Sequence, residues 1–187
     1  MSEEKVESSI YRQRLSCREH PRRSLDERIA TRLPTIATSL TARVSRLPPS
    51  SKLRQRVLAR AICSGFAALQ RGDFEGALGS FYDPDVEWHG AAGGLDEGRI
   101  VRDRAEVVEA FRDYYDTWER LELKPVEMID TGDELIVFVH EVARGRRSGV
   151  VTKTDTAAIN TLREGRVVQV RNYLDRSEAL EAAGLSE

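Results

Sequence analysis

The chain has 187 residues, 40% of them hydrophobic and 32% charged, and a formal net charge of −2. That is enough apolar material for one sizeable core, since ordinary domains run to about 100 to 200 residues. No run approaches the roughly 20 apolar residues of a membrane crossing, and no early basic-then-apolar segment reads as a secretion signal, so a cytoplasmic protein with no membrane partner is expected.

Charge is unevenly spread. Residues 1–52 hold 11 Lys and Arg against 6 Asp and Glu, whereas residues 53–187 hold 18 against 25. A basic arm on an acidic body is the result, and the arm is expected to be partly ordered or docked. Its arginines alternate with Glu, Ser, Thr and Pro and lack the aromatic platforms of a single-strand binder, so no nucleic-acid partner is expected. Within the arm, SLDERIATRL has Leu25, Ile29 and Leu33 at fourfold spacing after Ser24, which predicts a short helix. The prolines of RLPPSSK, residues 46–52, then break any helix and mark the start of the main domain, 53–187.

From Lys52 onward, Val57, Ala61, Cys63 or Ser64, Ala67 and Ala68 keep helical spacing. Asp73 is placed to cap a second short helix with Phe74, Ala77 and Leu78 facing inward. Pro84 ends the helical run and residues 86–88 read as a short strand, while residues 90–103, with four glycines, read as a loop. RAEVVEAFRDYYDTW predicts a third amphipathic helix with Phe111, Tyr115 and Trp118 along one side. Beyond it the period shortens. LELKPVEMID, ELIVFVHEVARG, GVVTKTDTAAINTL and RVVQVRNYL predict four strands, with reversals at TGDE and REGR, and EALEAAGL predicts a terminal helical turn.

Two cysteines in dissimilar surroundings do not specify a disulfide framework. Cys63 in AICSGFAAL reads as a small buried hydrophobe, and Cys17 lies among arginines; neither is assigned as a nucleophile. His20 lies in the arm, and the chain has no HExxH and no compact Cys/His set, so no metal is expected. AAGGLDEG matches neither a phosphate loop nor a dinucleotide fingerprint, no GxSxG elbow occurs, and no cofactor is expected.

RGDFEGALGSFYDPDVEWHG together with the closing GRVVQVRNYLDRSEALEAAGL resembles the SnoaL-like branch of the nuclear transport factor 2-like superfamily, over about residues 55–185. The resemblance implies an α+β fold: a cone-shaped, curved antiparallel sheet covered by three helices, with an internal cavity. It also implies a homodimer, and a small apolar or polyketide-like ligand. Polyketide cyclases, ketosteroid isomerases and dehydratases share this family with many proteins of no established reaction, so fold alone does not decide chemistry.

In similar proteins the exit of the first strand lies at the cavity, and here that exit carries Trp88 and His89. Ketosteroid isomerases hold a protonated acid near the position of Asp155. The resemblance therefore makes His89 the expected base or proton shuttle and Asp155 the expected acid, with Tyr173 or His140 orienting an oxygen. Phe66, Trp88, Phe111, Tyr115, Trp118 and Arg171 are expected to shape the ligand site. Gly65 and Phe66 stand where the isomerases supply a tyrosine, which argues against their familiar constellation. Strand parity puts His140 with Ile136 and Phe138, and Glu141 with Val137 and Val139, on opposite faces without saying which face is concave. Two readings remain: cofactor-independent isomerisation, cyclisation or dehydration, and a noncatalytic ligand-binding or structural homodimer.

Overall fold

A computed structural model describes residues 10–17, 42–79, 81–94 and 96–186. The helix expected within SLDERIATRL, and His20, lie outside the described residues. The elements, in chain order, are β1 (Tyr11–Arg14), α1 (Lys52–Gln70), α2 (Phe74–Leu78), β2 (Tyr82–His89), β3 (Ile100–Arg102), α3 (Arg104–Thr117), β4 (Trp118–Asp130), β5 (Glu134–Gly145), β6 (Val151–Arg163), β7 (Arg166–Tyr173) and α4 (Arg176–Ala182).

Local chemistry sets the helix ends. α1 begins just after Pro48 and Pro49 and stops at Gly72, whose φ of 71° suits the left-handed turn that closes a helix. Three aspartates then start helices by accepting backbone N–H groups: Asp73 from Gly76, Asp103 from Glu106, and Asp175 from Ser177 and Glu178.

The strands form one sheet in the order β1-β4-β5-β6-β7-β2-β3. This corrects the expected architecture. The sheet is mixed rather than antiparallel, because β2 runs parallel to β7, and it is an open sheet rather than a strongly curved cone. A closed sheet would pair its first and last strands; here β1 and β3 are separate edges. The glycine-rich segment read as a loop contains β3, which extends the sheet beyond β2. β2 is also longer than expected, running through Pro84, and Trp118 opens β4 rather than closing α3.

Helices lie on both faces. On one, Leu58 and Ile62 of α1 pack on Met128, Leu135, Val137 and Val139, while Leu78, Val107 and Val108 of α2 and α3 pack on Val86, Val101, Val167 and Val170. On the other, Ala179 and Leu180 of α4 cover Ile129, Ile136, Phe138, Ala157 and Ile159. Among the described residues no helix is long and apolar enough to cross a membrane.

Two cross-links hold the start of the domain. Cys17 and Cys63 form a disulfide that ties the segment after β1 to the middle of α1, so Cys63 is not the free hydrophobe its neighbours suggested. Arg54, fully buried, makes a bidentate pair with Asp130 at 2.7 and 2.8 Å. Its remaining N–H groups donate to the backbone carbonyls of Ser45, Leu47 and Gly132, so one guanidinium fastens α1, the preceding turn and the β4–β5 reversal.

Candidate functional site

Between α1–α3 and the sheet face they cover lies a cavity of about 340 Å³, within the range of small-molecule sites. Alternation along the strands selects its floor. Leu135, Val137, Val139 and Glu141 of β5, with Thr156, Ala158 and Asn160 of β6, line it; β7 contributes Val170 and Asn172. α1 supplies Ile62 and Phe66, and α3 supplies Ala110, Phe111, Asp113, Tyr114 and Thr117, which recur at helical spacing. Phe111 packs edge-on against Trp88, with centroids 4.9 Å apart, and so closes the β2 side.

The loop after β2 supplies Ala91, Asp96 and Arg99. It doubles back so tightly that a Cβ on Gly90 would lie 1.9 Å from the Asp96 carbonyl oxygen, which only glycine tolerates. Arg99 reaches Asp113 of α3 at 3.8 Å, joining loop to helix.

One polar pair stands out in this wall. The Tyr114 hydroxyl donates to Glu141 Oε1 at 2.9 Å. Burial pushes the Glu141 carboxyl above its ordinary value of 4.5, against the opposing pull of the Tyr114 hydrogen bond. Burial, and the carboxylate beside it, also push the Tyr114 hydroxyl up, so it stays protonated as a donor. Tyr82, another lining residue, is pushed up to about 12 by burial. Such a carboxyl binds a proton more strongly than one in water.

The residues singled out from sequence are divided by this geometry. Phe66, Trp88, Phe111 and Tyr173 line the cavity. Tyr115 packs edge-on against Phe74, and Trp118 against Tyr114. His140 and Asp155 do meet, with Nδ1 2.7 Å from Oδ1, but they project from the opposite sheet face, and the Asp155 side chain is 79% exposed. His89 follows inward-facing Trp88 and contacts Glu87 at 2.5 Å on that outer face, where its hydrogen bond lowers the Glu87 pKa. Arg171 pairs with Glu134 at 2.8 Å. The four expected catalytic residues therefore do not converge in one cavity.

Sequence reasoning missed Tyr114, Asn160 and Asn172. It placed Glu141 with Val137 and Val139 without identifying their face, and the signal was there: a carboxylate continuing the most apolar parity set of β5. Among the described residues no group of three or more His, Cys, Asp or Glu is placed to hold a metal ion.

The model of the SnoaL-like domain matches residues 64–170. Among solved structures, TerC co-crystallised with polyporic acid is similar at 27% identity over 65% of this chain and 94% of that one, with a TM-score of 0.54. A nuclear transport factor 2-like protein from Burkholderia thailandensis is 23% identical over 68% of this chain and 96% of its own, with a TM-score of 0.56. Another from Burkholderia pseudomallei is 21% identical over 65% and 93%, with a TM-score of 0.55. No curated protein matches the chain.

Proposed function

Because this chain belongs to the SnoaL-like family, we propose that its cavity binds a small, largely apolar organic molecule and that Glu141 moves a proton on it. The observation that carries this reading is the Tyr114–Glu141 hydrogen bond in the wall of an apolar cavity. TerC's co-crystallisation with polyporic acid supports an organic ligand for the same fold. The reaction class is isomerisation, cyclisation or dehydration begun by removing a proton next to a carbonyl. The C–H electron pair becomes an enolate and the proton passes to Glu141, which returns it at another carbon or lets it serve a leaving hydroxyl. Tyr114 holds the carboxylate in one orientation and is a positioning residue. No cofactor enters this scheme.

In this proposal Glu141 takes the role first expected of His89 and Asp155, while Tyr173 contributes to the cavity wall. The test is solvent exchange. A panel of apolar ketones in D₂O is followed by proton NMR for deuterium uptake beside the carbonyl. Uptake is expected with the intact protein and with His140→Ala, and is expected to fall about 100-fold or more in Glu141→Gln, the usual cost of losing a general base. Uptake unchanged in Glu141→Gln sinks the proposal. Reproducible binding with no exchange in any panel member favours the noncatalytic ligand-binding reading instead.

We also propose a homodimer through the outer sheet face, where Val151 of β6 is 56% exposed opposite Arg144. Sedimentation should give a dimer that Val151→Glu weakens; a monomer at all concentrations refutes this.

A further inference from the structure

The polar groups at the far end of the cavity carry a second message. Asn160 of β6 is buried, 6% exposed, between Leu135 and Val170 on the neighbouring strands. Its Nδ2 donates to the carbonyls of Leu135 and Ala158, at 3.0 and 3.2 Å. Asn172 of β7 donates its Nδ2 to the His89 carbonyl at 2.7 Å. Because each amide nitrogen faces a carbonyl oxygen, the orientation of both side chains is fixed: nitrogen to the backbone, oxygen away from it. Neither Oδ1 accepts a hydrogen bond among the described residues, and both side chains line the cavity.

Bracing the strands accounts for the nitrogens only. Both oxygens open on the cavity rather than being sealed in the core, so a molecule that displaces water from them must supply a hydrogen in its place. We propose that one of these two oxygens, on Asn160 or Asn172, accepts a hydrogen bond from a hydroxyl group on the bound molecule, so that the ligand class is an apolar skeleton bearing a hydroxyl remote from the carbon that meets Glu141. This rests on the cavity being a ligand site, as proposed above.

Register gives the span. Glu141 stands opposite Thr154 and Asn172 opposite Ala158, four residues further along β6, which at about 3.3 Å per residue separates the two rows by roughly 13 Å. The row of Asn160 is two residues beyond that. Between the polar ends the floor is Val137, Val139, Thr156 and Ala158. An elongated molecule matches this arrangement, with its acidified carbon at the Glu141 end and its hydroxyl donating its one hydrogen to one of the two amide oxygens. A carbonyl or ether oxygen at the amide end would face another oxygen and be repelled, so the site discriminates by hydrogen-bond polarity as well as by shape.

The test uses three probes of one skeleton: biphenyl, 4-hydroxybiphenyl and 4-methoxybiphenyl, with affinities to the intact protein measured by equilibrium dialysis. The hydroxyl compound is expected to bind roughly fivefold or more tighter than its methyl ether. In whichever of Asn172→Leu and Asn160→Leu removes the accepting oxygen, that ratio is expected to fall toward one. Equal affinities for the hydroxyl and methoxy compounds in the intact protein overturn the hydroxyl reading, and biphenyl binding then shows that the cavity reading stands. A ratio unchanged in both variants also overturns it, and failure of all three probes to bind overturns both readings. The comparison on the intact protein decides even where a variant does not fold.

Discussion

Glu141→Gln tests the electrostatics of the site without knowledge of the substrate. Burial raises the folded-state pKa of this carboxyl above 4.5, partly offset by the Tyr114 hydrogen bond. For a raised group the stabilising contribution is fully present below the unfolded pKa and is lost as pH rises through the folded value. Gln is nearly isosteric, still accepts the Tyr114 hydroxyl, and has no charge to desolvate. The stability of Glu141→Gln relative to the intact protein should therefore be constant below about pH 4.5. It should then grow by up to about 1.4 kcal/mol per pH unit until the folded pKa is passed, and level off. Urea unfolding of both proteins from about pH 4 to about pH 8, analysed with a common m value, reads this difference directly. A flat difference, or one that shrinks as pH rises, would show that Glu141 is solvated and would remove the physical basis for its proposed role as base.

Other expectations concern the framework. Asp130→Asn or Arg54→Leu leaves a buried partner uncompensated and should cost about 3 to 5 kcal/mol in urea unfolding, with little dependence on salt; a loss below about 1 kcal/mol would mean the pair is wetter than its burial indicates. The Cys17–Cys63 disulfide closes a loop with a sequence separation of 46. Chain entropy gives it roughly 4 kcal/mol, so Cys17→Ser with Cys63→Ser should lower the urea midpoint, and an unchanged midpoint would refute that. Ala158→Leu fills the cavity floor; it should leave thermal stability about equal or higher while weakening 4-hydroxybiphenyl binding about tenfold or more, because the added methyl groups occupy ligand space. Unchanged binding would place the probe elsewhere.

Local periodicity made most of the helices and strands legible. The 3.6-residue spacing in α1 and α3 and the apolar runs of β4 to β7 each draw on neighbours within a few residues. What was not legible depends on contacts distant in sequence. YRQR has too little alternation to announce a strand, and β1 forms because the backbone of β4 offers it an edge. Parallel pairing of β2 with β7 joins segments some 80 residues apart, and the disulfide joins residues 46 apart. The face of β5 turned to the cavity follows from where α1 and α3 pack, so parity could sort His140 from Glu141 but not choose between them. Histidine drew attention through its ordinary pKa, whereas Glu141 becomes noteworthy only once buried.

That difference also separates two pairs built alike. Glu141 with Tyr114 and Asp155 with His140 each join a carboxylate to a hydrogen-bond partner, and their strand residues are adjacent on β5. Asp155 is exposed, so water solvates its charge whether or not histidine is near. Glu87, held by His89, is shifted down, toward the ionised and weakly basic form, whereas Glu141 is shifted up by burial. Opposite shifts in two carboxylates of one sheet distinguish their surroundings, and it is the raised one that suits the proposed proton transfer. Glu141 is the acid that faces the cavity and is partly shielded from water, as its proposed role as base requires, whereas Glu87 and Asp155 on the outer face are each held against a histidine.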